Sequence, residues 1–249
     1  MYRHWRDVFY PGDVPQREHL EYYAERFATV EINASFYRLQ ERDVFEDWAE
    51  AVPGDFLFAV KGSRYLTHMK RLREPAEPVS RLMDRAGGLG KRMGPILLQL
   101  HPNMKYAPDR LRETLAAFGK DVRVAVEPRH SSWYTDELYQ LLREHNAALC
   151  AADQGEEFAV PVVRTADWSY VRFHGGHDTP ESCYTRDGLR ARARELVDKL
   201  DGARDVFVYF NNDGHGCALR DAARFAELME EAGGTPSRVP GEMGQATLS

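Results

Sequence analysis

The chain has 249 residues, 43% of them hydrophobic, and a formal net charge of −6. That length and apolar share suffice for one large α/β domain with a sizeable core, and the acidic balance excludes non-specific adhesion of the whole surface to nucleic acid or anionic lipid. No stretch reaches the roughly 18 uncharged apolar residues of a membrane span, and the opening "MYRHWRDVFYPG" lacks the basic-then-apolar order of a signal peptide. A cytoplasmic protein without membrane contact is therefore expected. Cys150, Cys183 and Cys217 are widely spaced and form no CxxC pair; their odd number suits a reducing compartment and argues against a zinc ribbon.

Short β-branched or aromatic runs recur along the chain: "ATVEIN" (28–33), "FLFAVKG" (56–62), "PILLQLH" (95–101), "VRVAVE" (122–127), "AALCAAD" (147–153), "SYVRFHG" (169–175) and "VFVYFNN" (206–212). Amphipathic helical patterns separate them, among them "PQREHLEYYAERF", "DVFEDWAEAV", "DRLRETLAAFG", "DELYQLLREHN" and "ALRDAARFAELMEEAG". Repeated strand-then-helix units predict a parallel sheet, and this many predict a TIM-like (β/α) barrel or a doubly wound open sheet. A single domain over 1–232 is expected, followed by a flexible Gly- and Pro-rich tail over 233–249.

The strands end in charges. In a parallel sheet covered by helices both faces of a strand are buried, so polar residues there cost free energy unless a site uses them. Side chains alternate faces with period two, and one parity is polar at nearly every strand end: Glu31 and Asn33, Lys61, Gln99 and His101, Glu127 and Arg129, Asp153, Arg172 and His174, Tyr209 and Asn211. The opposite parity, including Val30, Ile32, Val60, Leu98, Val126, Val171, Phe173 and Val208, is apolar. In a barrel the polar set converges on the upper lumen, where barrel enzymes place their active sites. The competing structural reading is a buried ion-pair network that plugs the barrel.

The segments "TVEINASFYRL", "FAVKGSRYLTHMKRL", "GPILLQLHPN", "RVAVEPRHSSW", "YVRFHG" and "VYFNND" resemble, in order, the motif blocks of the DUF72 (YecE-like) family. The resemblance implies a TIM-like barrel but no established reaction. It singles out most of the polar set above, together with Phe36, Tyr37, Arg64, Tyr65, His68, His130, Trp133, Gly175, Asn212 and Asp213. His101 stands where the family's block usually has Pro, which discounts it as a shared catalytic group, and Pro128 and Ser131 replace an aromatic and a Pro. The family's opening strand, which ends in a "GTSGW"-like block, is absent. The barrel is therefore expected to lack its first strand and to gape between the strands at Val30 and Val208, with the missing strand encoded upstream.

Lys61, Arg129, Arg172 and His174 facing Glu31, Glu127 and Asp153 suggest an anionic substrate held near a carboxylate base. The expected enzyme acts on a phosphorylated or other anionic substrate, nucleic-acid phosphate included, by general acid/base chemistry. Whether it is a hydrolase, lyase or isomerase is left open. Glu127 is the first candidate base and Glu31 its alternate; His174 is the acid or shuttle, and Lys61 either pairs with a carboxylate or forms a Schiff base. Arg129, Arg172, Arg64, His68, Asn33, Gln99, His130, Trp133, Asp153, Tyr209 and Asn211 are candidate substrate contacts. Arg172 is expected to matter more for ligand binding than for stability. A divalent metal on Glu31, Glu127, Asp153 and His174 is conceivable by ligand type, but the cations among them compete for the same carboxylates, so no metal ligand is assigned. The alternative is a non-catalytic module that senses a phosphorylated ligand or nucleic acid through Arg64, His68 and the basic loop around them.

Overall fold

The computed structural model describes residues 5, 6, 8–153, 160–175 and 183–240. Among them seven strands form one parallel sheet: β1 (Thr29–Ile32), β2 (Leu57–Lys61), β3 (Met93–Gln99), β4 (Val124–Glu127), β5 (Ala148–Asp153), β6 (Ser169–Phe173) and β7 (Val206–Phe210). Each overlaps one of the seven apolar runs, and the strands neighbour one another in chain order. Helices alternate with them: α1 (His19–Arg26), α2 (Ala34–Tyr37), α3 (Arg42–Glu50), α4 (Ala76–Ala86), α5 (Pro108–Phe118), α6 (Asp136–Glu144), α7 (Arg186–Lys199) and α8 (Cys217–Glu231). The result is a nearly closed TIM-like barrel.

Local chemistry explains several helix starts. Thr135 and Thr185 accept hydrogen bonds from Leu138 N and Gly188 N, satisfying donors that a first helical turn leaves unpaired, and α5 begins with Pro108, whose missing N–H costs nothing there. The two strand faces then sort as alternation requires. Val60, Ile96, Leu98 and Val126 join Phe45, Val79, Leu82, Leu111 and Leu138 of the helix shell, while Ala59, Leu97, Ala125, Cys150, Tyr170 and Tyr209 fill the lumen.

The barrel stays open at one place. Among the described residues β1 pairs only with β2 and β7 only with β6, so the position between β7 and β1 holds no strand. A cavity of about 1340 Å³ runs along this seam, bordered by Thr29, Val30 and Glu31 on one side and Val208 and Tyr209 on the other. Trp5, Phe9 and Tyr10 pack on Leu219 and on the aromatic residues of α1 instead of pairing with either edge. Their own pairing is limited to an isolated bridge between Arg6 and Tyr10.

One further feature departs from the sequence reading. Cys183 and Cys217 form a disulfide with their Cα atoms 5.1 Å apart, beside the hydrogen bond that Tyr184 N donates to Asp221 Oδ2 of α8; only Cys150 remains free, and it is buried. Beyond α8, residues 233–240 lie against the barrel: Arg238 donates to the carbonyls of Ala24 and Phe27 and pairs with Asp55 at 2.6 Å. Residues 241–249 lie outside the described residues. No helix among the described residues is long and apolar enough to cross a membrane.

Candidate functional site

Strand alternation delivers five predicted side chains to the upper lumen: Glu31 from β1, Lys61 from β2, Gln99 from β3, Glu127 from β4 and Arg172 from β6. The register aligns them, with Gln99 opposite Glu127 and Arg172 opposite Tyr209. Arg172 is the hub. One of its terminal nitrogens lies 2.7 Å from Glu31 Oε1 and the other 2.6 Å from Glu127 Oε2, and its side chain is 2% exposed. Arg129 takes the second oxygen of Glu127 at 2.6 Å. Gln99 Nε2 donates to both oxygens of Glu127 at 3.1 and 3.0 Å, and Tyr170 donates its hydroxyl to Glu31 Oε2 at 2.7 Å.

This geometry fixes the protonation of the centre. Burial alone would push the Glu127 carboxyl up, but Arg172, then the hydrogen bond from His174, then Arg129 overrule it and hold it well below the usual carboxylate range. Burial opposes charge on Arg172 as well, and there Glu31 and Glu127 overrule it and hold the guanidinium firmly protonated. Lys61 moves the other way: burial lowers its pKa first and Arg172 adds to that, with Glu31 and Glu127 opposing. It forms no ion pair through Nζ among the described residues, and the amine stands 4.7 Å from the centre of the Phe36 ring.

Exposure rises outward from this floor. The Arg129 and His174 side chains are 27% and 21% exposed. His174 Nε2 lies 3.3 Å from Arg129, 3.4 Å from Arg172 and 3.4 Å from Glu127 Oε1. The same nitrogen thus faces two donors and one acceptor, so it finds a partner whether or not it carries a proton. His68, on a π-helical turn over Tyr65–Met69, has its Nδ1 2.9 Å from Thr67 Oγ1 and its ring against Phe36 and His101. Burial, then His101, then Lys61 lower its pKa to about 4, so it is neutral at pH 7. Arg64, at the start of that turn, is exposed.

Other predicted residues stand elsewhere. Asp153 sits opposite Phe173 in the sheet, which puts it on the helix-facing side, 3.1 Å from Arg192 of α7. Trp133 is fully buried beside Tyr106 and donates its indole N–H to Met104 O, and His130 caps the 3₁₀ turn Ser131–Trp133 by accepting from Ser132 N. Tyr209, opposite Arg172 in the sheet, turns its hydroxyl to Thr29 Oγ1 at 2.8 Å. Asn33 and Asn211 border the seam, and Asn211 Nδ2 is buried without a hydrogen-bond partner among the described residues. Among the described residues no three His, Cys, Asp or Glu side chains gather to hold a metal ion.

A family profile described as "Protein of unknown function DUF72" matches residues 1–243. The chain belongs to the DUF72 family. A relative, the UPF0759 protein YunF of Bacillus subtilis, is 26% identical over 261 residues, covering 90% of this chain and 91% of that one. The UPF0759 protein YecE of Escherichia coli is 35% identical over 118 residues, 46% of this chain and 43% of that one. Among solved structures, a DUF72 protein from Thermotoga maritima superposes with a TM-score of 0.81 at 25% identity, covering 92% of this chain and 95% of that one. Another from Enterococcus faecalis gives 0.74 at 21% identity over 85% and 88%.

Within this DUF72 barrel, sequence reading missed Tyr170, which completes the coordination of Glu31, and Ser35, whose buried Oγ lies 2.9 Å from Ile32 O and 2.7 Å from Lys61 O and ties the tops of β1 and β2 together. Tyr170 was within reach of the alternation rule, standing two residues before Arg172. Ser35 was not, because its role comes from the single turn of α2.

Proposed function

We propose that the upper lumen binds a small anionic ligand, a phosphorylated compound being the simplest, and that the protein is an enzyme whose proton transfers pass through His174. The observation that carries this reading is the layering. Both carboxylates are spent on Arg172, Arg129, Gln99 and Tyr170, while the groups nearer solvent, Arg129, His174 and Lys61, are cationic or able to become so. Lys61, Arg129 and Arg172 together outnumber Glu31 and Glu127 by one when the lysine is protonated. An incoming anion meets that excess first.

The layering also redistributes the chemical roles. A carboxylate held as low as Glu127 is a poor general base at neutral pH, so Glu127 and Glu31 serve as the scaffold that orients the two arginines. His174 Nε2, placed between Arg129 and Glu127, is the group able to accept and return a proton, accepting a hydrogen bond from an arginine when bare and donating to Glu127 when protonated. Reaction type and the nucleic-acid option stay open within this reading; the exposed Arg64 and Tyr65 would supply backbone contacts in the latter case.

Calorimetry with inorganic phosphate and a panel of sugar phosphates and phosphorylated nucleosides tests the proposal. Binding should weaken by about tenfold or more in Arg129→Ala, the loss of a charge-assisted contact. Turnover of a bound compound should vanish in His174→Ala while binding persists. Binding without turnover of any member of the panel would favour the sensing module instead. Affinity that is unchanged in Arg129→Ala would remove the anion from the upper lumen altogether.

A further inference from the structure

Lys61 projects from the end of β2 into a site whose acids are already taken. Arg172 holds Glu31 and Glu127 at 2.7 and 2.6 Å, and Arg129 holds Glu127 at 2.6 Å. Neither carboxylate forms an ion pair with Lys61. The Phe36 ring lies 4.7 Å from Nζ, and Ser35, bonded to the Lys61 carbonyl, fixes the strand end that carries it. A half-buried lysine with cationic neighbours and, among the described residues, no acid paired to it is arranged as a nucleophilic amine; the Phe36 face walls the site while favouring the ammonium form.

We propose that Lys61 forms an imine with a small carbonyl compound bearing a phosphate or carboxylate, the anion resting on Arg129 while the carbonyl carbon meets Nζ. The inference builds on the anion-binding reading above and narrows its substrate class. In the step itself the amine lone pair forms the C–N bond and the carbonyl π pair passes to oxygen. The carbinolamine then expels that oxygen as water, which carries away the two hydrogens the amine gives up. Burial, with Arg172 next, lowers the Lys61 pKa, so more of the reactive free amine is present near neutral pH than at an exposed lysine.

Pyridoxal 5′-phosphate, an aldehyde that carries a phosphate, is the probe, with borohydride as the reductant that converts any imine into a stable secondary amine. Peptide mapping then compares Lys61 with Lys70, Lys91, Lys105, Lys120 and Lys199, the other lysines of the chain. Lys61 should be labelled at a probe concentration several-fold below that needed at Lys91 or Lys105. Inorganic phosphate should suppress the Lys61 adduct alone, and Lys61→Arg should abolish it in a folded protein. If Lys61 is labelled no faster than the others in a protein whose Tm phosphate still raises, the imine is overturned and the anion site stands. If phosphate neither stabilises the protein nor protects Lys61, both readings fall. Rapid labelling that phosphate does not suppress removes the anion's seat on Arg129 and overturns the proposal as stated.

Discussion

Between β4 and β6 the buried charges meet their opposites, with Arg172 gripping Glu31 and Glu127, whereas between β7 and β1 two strand edges face a cavity of about 1340 Å³ instead of each other. At the centre, side chains pair with one another, although the Nε atoms of Arg129 and Arg172 are buried without a hydrogen-bond partner among the described residues. At the seam the strand edges find no partner strand among the described residues, and pieces from outside the sheet border the cavity: Trp5 of the aromatic cluster and Arg238. The contrast separates two kinds of stability. The centre is sensitive to the loss of one charge, since each partner left behind is buried; the seam is sensitive to the loss of a brace.

The largest effect should come from breaking the centre. Arg172→Ala leaves Glu31 and Glu127 buried without their shared cation, a loss that costs about 3–5 kcal/mol for a buried pair and lowers Tm by roughly 6–20 °C in a domain of this size. This reverses the expectation that Arg172 matters mainly for ligands. The reason is its placement: at 2% exposure it binds protein on both sides and is the floor of the site, while Arg129 is its face. Thermal denaturation decides the point. A Tm within about 3 °C of wild type, equivalent to about 1 kcal/mol, would restore the ligand-binding role.

A slightly smaller change should come from the Cys183–Cys217 link between the segment before α7 and the start of α8. The disulfide closes a 34-residue span, for which chain-entropy arguments give about 3–4 kcal/mol. Replacing both Cys183 and Cys217 by Ala should therefore lower stability by about that amount in urea titration. If reductant leaves the wild-type midpoint unmoved while the double variant is equally stable, the disulfide contributes nothing to stability.

How much of this contrast was legible in the sequence depends on which physical rule placed each residue. Glu31, Lys61, Gln99, Glu127 and Arg172 follow from alternation, because their strands carry apolar residues of clear opposite parity. Asp153 was misplaced by the same rule. In "AALCAAD" both faces are small and apolar, so nothing but the acid itself suggested a parity, and the register with β6 puts it outside. His130 and Trp133 lie past a strand end, where a 3₁₀ turn sets direction and alternation no longer applies. The open seam was legible as a count of strands. The disulfide was not, since spacing alone does not determine pairing.

Acid sharpens the view of the centre. A carboxylate held below its ordinary range contributes stability that is fully present above its unfolded pKa and is lost as pH falls through the folded one. Glu127 is such a group, so wild-type stability should begin to fall below about pH 4–5, near the ordinary carboxylate range. Glu127→Gln should cost about 1.5–3 kcal/mol at pH 7, the worth of a hydrogen bond to a charged group. Its stability should also vary less on acidification. Parallel stability-versus-pH curves for the two proteins would place the acid sensitivity elsewhere.

The smallest effect should come from the side-chain link across the seam, where the hydrogen bonding assigns its own direction. Thr29 has one hydroxyl proton, and it goes to Leu57 O at 2.7 Å. Tyr209, whose hydroxyl lies 2.8 Å from Thr29 Oγ1, must then be the donor. Removing that donor in Tyr209→Phe leaves Thr29 with its bond to Leu57 and should cost about 0.5–1.5 kcal/mol. Thr29→Val instead strands the buried Tyr209 hydroxyl and leaves Leu57 O short of a donor, so it should cost more, about 1–3 kcal/mol. The order of the two values tests the direction of the bond. Hydrogen exchange tests the seam itself: amides of β1 and β7, each paired on one side, should exchange faster than those of β3 to β5, and Tyr209→Phe should widen that difference. Uniform protection across all seven strands would mean that the seam is closed in solution and that the link carries none of the closure.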